Sequence, residues 1–268
     1  VEKHEDMMAI LDEQLLKLKT DHVDFYLLHA LSKDRIAKMR ELDYKSFLDK
    51  ALAQGKIRYP AFSFHDDADT FLDILGDYPW AMCQVQMNLL DVFNQATMKG
   101  VEEAGKHGIG VVVMEPLRGG LLARPPKAIL ALYDRFPVKR SPVEWAFRFL
   151  YTRPEVRTIL SGMSTMAQVE DNLRIFNSAA QEPLTAAEEQ LYVDVRNAYD
   201  ALLRTRCTGC EYCQPCPKGV QIPRIFQGVD RAAMQADMPF KEAYGKLVAE
   251  GHGADQCVHC RKCEKACP

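Results

Sequence analysis

The chain has almost no excess charge: 34 Lys and Arg against 37 Asp and Glu leave a net charge of −3 over 268 residues. Such a surface exerts no long-range pull on a polyanion, which argues against nucleic acid as a partner. No apolar run is long enough to span a bilayer, and no signal-peptide pattern occurs, so neither a membrane role nor export is expected. Also missing is a Gly-x-Gly-x-x-Gly turn after a strand, the phosphate-binding fingerprint that would favour a doubly wound dinucleotide fold. No flavin signature is found. What is there, 47% hydrophobic and 26% charged residues, describes a globular protein with a sizeable core. This length suits one large domain and one small one.

Cysteine is plentiful and unevenly placed. Eight of the 9 cysteines fall in two runs, Cys207-Thr-Gly-Cys210-Glu-Tyr-Cys213-Gln-Pro-Cys216-Pro217 and Cys257-Val-His-Cys260-Arg-Lys-Cys263-Glu-Lys-Ala-Cys267-Pro268. The second has the C-x2-C-x2-C-x3-C-P spacing of bacterial two-cluster ferredoxins, and the first differs only in its last gap. A thiolate every third residue lets a short loop wrap three corners of an iron–sulfur cube. Zinc competes as a reading, but it needs only two cysteines per half and no trailing proline. Disulfides compete as well, yet nothing marks a small secreted domain, and cysteines reserved for metal imply a reducing, cytoplasmic setting. In proteins with the ferredoxin pattern the fourth cysteine of each run serves the other cluster. The resemblance thus implies two 4Fe-4S clusters, one on Cys207, Cys210, Cys213 and Cys267 and one on Cys257, Cys260, Cys263 and Cys216. It also implies that Cys216 and Cys267 tie the halves of the tail together. Cys83, outside both runs in an apolar strand, reads as a packed small hydrophobe.

Upstream of the cysteines, helices alternate with short apolar runs. Met8, Leu11, Leu15 and Leu18 fall at helical spacing over His4 to Leu18. Strands are expected at Val23–Leu28, Ile57–Phe62, Met82–Gln86, Gly110–Met114 and Val156–Leu160. Helices are expected over 45–55, 66–75 and 94–107. A Ser141-Pro-Val-Glu144 capping box opens another, to about Tyr151, and Thr165-Met-Ala-Gln168 one to Phe176. Thr185-Ala-Ala-Glu188 caps a long helix to about Arg204, and 222–236 and 239–249 have helical character. Strands apolar on both faces and separated by helices mean parallel βα units. Five such units fit either part of an eight-stranded barrel or a doubly wound sheet.

The order of landmarks carries a more specific resemblance. Asp21-His-Val-Asp-Phe-Tyr-Leu-Leu-His29 is followed by Gly55-Lys-Ile-Arg58, Phe62-Ser63-Phe64-His65 and Gln84-Val-Gln-Met-Asn88. Then come Met114-Glu-Pro-Leu-Arg-Gly-Gly-Leu-Leu122 and Gly162-Met-Ser-Thr-Met-Ala-Gln168 with Asp171-Asn172. In this order they resemble the second part of an aldo-keto reductase, in the branch fused to a ferredoxin domain. The resemblance implies about the last five βα units of a (β/α)8 barrel over 1–183, a connecting helix over 184–206 and a small α-helical ferredoxin-like domain over 207–268. It implies that His29 orients a carbonyl oxygen, while the family's catalytic Asp, Tyr and Lys would precede Val1. It implies NAD(P), with Ser63 and Gln84 at the carboxamide and Leu117, Arg118, Gly119 and Gly120 at the pyrophosphate. Gly162, Gln168, Asp171 and Asn172 would surround the adenosine. Two positions depart from the family pattern: Met87 replaces an aromatic that stacks on the nicotinamide ring, and Phe64 replaces an Asn.

The resulting expectation is an oxidoreductase that reduces carbonyls or oxidises alcohols and is coupled to two clusters. Hydride transfer moves two electrons together and a cluster passes one. Coupling them needs a two-to-one electron converter, usually a flavin: either a partner supplies it, or the barrel binds a different cofactor, or the clusters are chiefly structural. The expected redox partner is a ferredoxin, flavodoxin or flavoprotein. The alternative is an iron–sulfur electron-transfer module for which the barrel is only a docking scaffold.

Overall fold

The computed structural model describes residues 1–179, 182–205, 207, 211, 213–234 and 240–267. Cys210 lies outside the described residues, as do Ala236 and Pro239, where two expected helices were to end and begin. The chain divides into two compact units, Val1–Gly119 with Val143–Leu184 and Gly120–Pro142 with Thr185–Pro268.

In the first unit β1 (Val23–Leu31), β2 (Ile57–Phe64), β3 (Met82–Gln86), β4 (Gly110–Met114) and β5 (Val156–Ile159) form one parallel sheet in the order β1-β2-β3-β4-β5. Each strand lies beside its predecessor with no reversal. That is barrel winding; a doubly wound sheet reverses at a switch point, so the strand order resolves what the pattern of strands left open. The intervening helices are α1 (His4–Leu18), α2 (Lys33–Glu41), α3 (Tyr44–Ala53), α4 (Ala68–Leu75) and α5 (Thr97–Lys106). After α6 (Lys127–Arg135), which belongs to the second unit, come α7 (Pro142–Tyr151) and α8 (Met166–Asn177).

Successive side chains on a strand point to opposite faces. Phe62, Phe64, Cys83, Val85, Val111 and Val113 are fully buried and make the helix-side core. Phe71 of α4 meets Phe64 at 5.0 Å and Phe62 at 6.0 Å between ring centroids, and Trp80 stacks flat on Tyr44 of α3 at 5.9 Å. The other face carries Ser63, Gln84, Gln86 and Met114, with a half-exposed Phe25–Tyr59 stack at 5.0 Å. At the amino end of the sheet, Asp77 accepts hydrogen bonds from Tyr44 Oη (2.7 Å), Arg40 Nε (2.9 Å) and Lys45 Nζ (2.7 Å). This ties α2 and α3 to the end of α4, far along the strands from their carboxyl ends.

The second unit is helical among its described residues. α6 packs on α9 (Ala186–Leu202), α9 on α10 (Ile222–Met234), and α10 on α11 (Phe240–Ala249). A short α12 (Lys262–Ala266) lies within the last cysteine run. The capping box at Thr185 forms as expected: its hydroxyl accepts from Glu188 N (3.2 Å), and Glu188 Oε2 accepts from Thr185 N (2.9 Å). α9 stops at Leu202, two residues short of expectation. The next amide groups, of Arg204 and Thr205, turn instead to the Asp230 carboxylate. Val220, Ile225 and Leu247 form a small core, with Cys216, Ile222 and Tyr244 packed around it.

Candidate functional site

β1 runs three residues past its expected end, and the extra length contains a bulge. The pairing of β1 with β2 shifts between Leu28 and Leu31, so that His29 and Ala30 together oppose Ser63. Ala30 has φ +52°, a left-handed conformation rare for a residue with a Cβ, and its N–H donates to Ser63 Oγ at 2.7 Å. Bulges of this kind re-aim a side chain at the rim of a sheet. Here the bulge carries His29, which is exposed and makes no ring hydrogen bond among the described residues. Ser63 pairs in register with Gln84 on β3, and Gln84 with Val112 on β4. His29, Ser63 and Gln84 therefore form a row across three adjacent strands near their carboxyl ends. The buried Ser63 hydroxyl, already accepting from Ala30, keeps its own proton to donate. The Gln84 amide nitrogen lies 3.7 Å from Met114 Sδ, a weak partner that a better acceptor would displace.

The two departures from the family pattern have structural explanations. Phe64 is fully buried against Phe71 on the face opposite Ser63, so it is a core residue here. Met87 is likewise enclosed, its amide donating to Met114 O at 3.2 Å.

The Leu117–Gly120 loop is built on a polar network that the sequence reading did not anticipate. Asn88, fully buried, donates to Asp91 Oδ2 (2.9 Å) and Glu115 O (3.1 Å), and its own oxygen accepts from the amides of Leu90 and Asp91 (both 3.0 Å). Arg118 Nε lies 3.4 Å from Asp91 Oδ2. Glu115 and Arg118 have positive φ, as do Gly119 (φ +61°) and Gly120 (φ +86°). A side chain at either glycine would be strained in this turn. The Gly119 N–H donates to Glu115 Oε2 at 2.7 Å, so a carboxylate sits on the amide that a phosphate would seek. The signal for this network was in the sequence: two acidic residues and an asparagine, in the loops after two strands.

At the end of β5, Gly162 leads into α8. Thr165 Oγ1 accepts from Gln168 N (3.3 Å), and Gln168 Oε1 accepts from the amides of Ser164 (2.8 Å) and Thr165 (3.2 Å). Asn172 Nδ2 donates to Ser161 Oγ at 2.9 Å, whereas Asp171 is paired with Arg174 (2.8 Å). Gly162, Gln168 and Asn172 are thus gathered at one strand–helix junction, and Asp171 is turned to its own helix. Cys83 is fully buried, and burial pushes its thiol up to about 12, which leaves it inert.

In the second unit Cys216, Cys257, Cys260, Cys263 and Cys267 are free thiols, and only Cys216 and Cys263 of these are partly covered. His259 N donates to Cys257 Sγ at 3.4 Å, and His259 and Arg261, between the cysteines, take left-handed conformations that curl the loop. An amide aimed at sulfur and a loop curled around it suit a thiolate-bound cluster, and the donor set is wholly cysteine, the soft ligand such clusters take. Among the described residues no three potential ligands are drawn together, so the fit lies in the donor chemistry and loop conformation.

A barrel-wound parallel sheet with a polar row at its strand ends is thus followed in the chain by a cysteine-rich helical module. Residues 2–128 match the model of the aldo/keto reductase family, and residues 206–268 match the 4Fe-4S dicluster domain. The chain thus carries an aldo/keto reductase domain and a 4Fe-4S dicluster domain, which makes it an oxidoreductase, and its parallel sheet fits part of a (β/α)8 barrel. Among solved structures it is similar to the aldo-keto reductase AKR11C1 from Bacillus halodurans. The holo form matches with TM-score 0.61 and 24% identity over 73% of this chain and 68% of that one. The apo form matches with TM-score 0.58 and 25% identity over 72% and 68%. The thermostable aldo-keto reductase Tm1743, solved with the inhibitor epalrestat, matches with TM-score 0.56 and 21% identity over 72% and 67%. No curated protein matches the chain. Among the described residues no helix is long and apolar enough to cross a membrane.

Proposed function

We propose that this protein interconverts a small-molecule carbonyl and its alcohol with NAD(P), in a barrel coupled to two 4Fe-4S clusters. The observation that supports this reading best is the row of His29, Ser63 and Gln84 at the carboxyl ends of three adjacent strands, where barrel enzymes hold their sites. When bound, the nicotinamide would supply a hydride to the carbonyl carbon and the clusters would pass electrons singly, while the proton for the oxygen would come from the tyrosine that the family uses, a role that none of these residues fills. His29, presented by the bulge and open to solvent, orients the carbonyl oxygen. Ser63 donates its hydroxyl proton, and Gln84 its amide, to the carboxamide. The Leu117–Gly120 loop serves the pyrophosphate once Glu115 has left the Gly119 amide. Gly162, Gln168, Asp171 and Asn172 line the adenosine end, which requires Asp171 to exchange its partner Arg174. In this reading the reductase part occupies 1–183, the connecting helix 184–206 and the cluster domain 207–268. The clusters are held by Cys207, Cys210, Cys213 and Cys267 and by Cys257, Cys260, Cys263 and Cys216. A ferredoxin, flavodoxin or flavoprotein exchanges electrons with them in the cytoplasm.

The test is nicotinamide oxidation by the natively expressed holoprotein with a panel of aldehydes and ketones, kept anaerobic. It should carry about eight irons. His29→Ala should lower turnover, and Gln84→Ala should raise KM for the nicotinamide. Unchanged turnover in His29→Ala would remove that residue from the chemistry. Clusters that a ferredoxin reduces fully while no carbonyl consumes nicotinamide would favour the electron-transfer module instead.

A further inference from the structure

In the second unit one buried carboxylate has no part in the chemistry assigned so far. Asp230, on α10, is only 3% exposed, and its hydrogen bonds among the described residues come from amides and a hydroxyl, not from a charged side chain. An ionised carboxylate in such a place is tolerated only when its oxygens are well supplied with donors. Among the described residues Asp230 takes its donors from one short segment. Oδ1 accepts from the amides of Arg204 and Thr205, each at 2.8 Å, and Oδ2 accepts from the Thr205 hydroxyl at 2.7 Å. Thr205 Oγ1 in turn accepts from the amide of Cys207 at 3.3 Å. A continuous chain of hydrogen bonds thus runs from a helix across two residues of loop to the first cysteine of the first run.

We infer that Asp230, acting through Thr205, is a positioning residue for the first iron–sulfur site. It fixes where Cys207 enters the cluster and sets a negative charge one side chain away from that ligand. The inference rests on the reading of Cys207 as a cluster ligand. The purely structural reading, that Asp230 merely ends α9, predicts a different pattern of loss. A terminator of α9 would lower the stability of the whole unit and affect both clusters alike. A positioning residue affects one cluster and leaves the other. Residues just beyond a metal's ligands cost about 10–100-fold in affinity when removed, and a charge beside a cluster is one of the terms that set its potential.

The experiment compares the reconstituted wild-type chain with Asp230→Asn, Asp230→Ala, Thr205→Val and Thr205→Ser, using iron content, iron release to a chelator and redox titration followed by EPR. Asp230→Asn keeps the shape and loses the charge. It should retain about eight irons while the potential of one cluster moves upward and that of the other stays. Thr205→Val should release about half of its iron roughly 10–100-fold faster than wild type, and Thr205→Ser should restore the wild-type rate. Should Asp230→Ala fail to fold, the asparagine and threonine variants decide. Glu188→Gln, which weakens the cap of α9 in the same unit, is the control and should leave both potentials in place. Equal effects on both clusters, or wild-type release and potentials in every variant, would overturn the inference while leaving the cluster reading intact. A wild-type chain that takes zinc and no iron would remove both.

Discussion

Replacing Ser63 by alanine should weaken the fold and the candidate site together. Ser63 Oγ accepts from Ala30 N–H at 2.7 Å, and Ser63 is 3% exposed, so little water can take its place. Leaving a buried donor without its acceptor costs about 1–3 kcal/mol. The same bond also holds Ala30 at φ +52°, a conformation that costs a non-glycine residue roughly 1–2 kcal/mol. Without the hydroxyl, part of that strain is released as the bulge relaxes, which offsets some of the loss. A net destabilisation of about 1–2 kcal/mol is expected. With a urea m-value of about 1–3 kcal/mol per M, the unfolding midpoint should fall by roughly 0.3–2 M. Fluorescence of the buried Trp80 and Trp145 can follow the transition. Ala30→Gly removes the strain directly and should raise stability by roughly 0.5 kcal/mol. In that background Ser63→Ala should cost measurably more, because the bond is still lost while no strain is left to be released. Equal costs of Ser63→Ala in both backgrounds, or no shift of the midpoint, would refute the claim that this hydroxyl holds the bulge.

Two further outcomes follow from groups outside the row. Burial works against the ionised form of Asp77, but hydrogen bonds from Lys45, Tyr44 and Arg40 prevail and hold its carboxyl below the ordinary value of 3.8. The associated stability is present above that value and is lost as pH falls through the lower folded one. Asp77→Asn should flatten this acid limb of stability, and a limb unchanged in the variant would exclude Asp77 as its source. Cys83, buried with its thiol pushed up to about 12, should resist iodoacetamide at neutral pH in the folded apoprotein. The exposed Cys257, Cys260 and Cys267 should be alkylated first, as peptide mass spectrometry would show. Early modification of Cys83 would mean that the sheet opens far more readily than its packing implies.

The sheet was legible because its strands are apolar on successive residues and separated by helices, so β2 to β5 fall within a residue or two of expectation. The exception was β1, whose last three residues include the polar His29 inside a bulge that no alternation reveals. α2 (Lys33–Glu41) was not legible, since Ile36 is its only buried side chain and Ile36 with Met39 makes a single i, i+3 pair, too short for a period. α6 (Lys127–Arg135) did carry a signal, Ile129 and Tyr133 four apart and both buried, and was missed nonetheless. Helix α5 starts at Thr97 and not near Asn94, because the Asn94 side chain donates to Asp91 Oδ1 at 3.1 Å and holds a turn there. At the candidate site, His29, Ser63 and Gln84 were named from their landmarks, and their register in the sheet was not. The Asn88–Asp91–Arg118 network left only its residue types in the sequence, since its members become neighbours when β3 and β4 lie side by side.

The two halves of the small unit are joined at points that contain no thiolate. Gln221 N donates to His252 O at 3.1 Å, and His252 Nδ1 donates to Gly219 O at 2.8 Å. Val220 and Ile225 from one half meet Leu247 from the other. The ferredoxin resemblance implies a further tie, through Cys216 and Cys267. The joining of the halves is thus shared between the cysteines and contacts that need no metal, so a change at Leu247 or His252 should loosen the unit without touching a ligand.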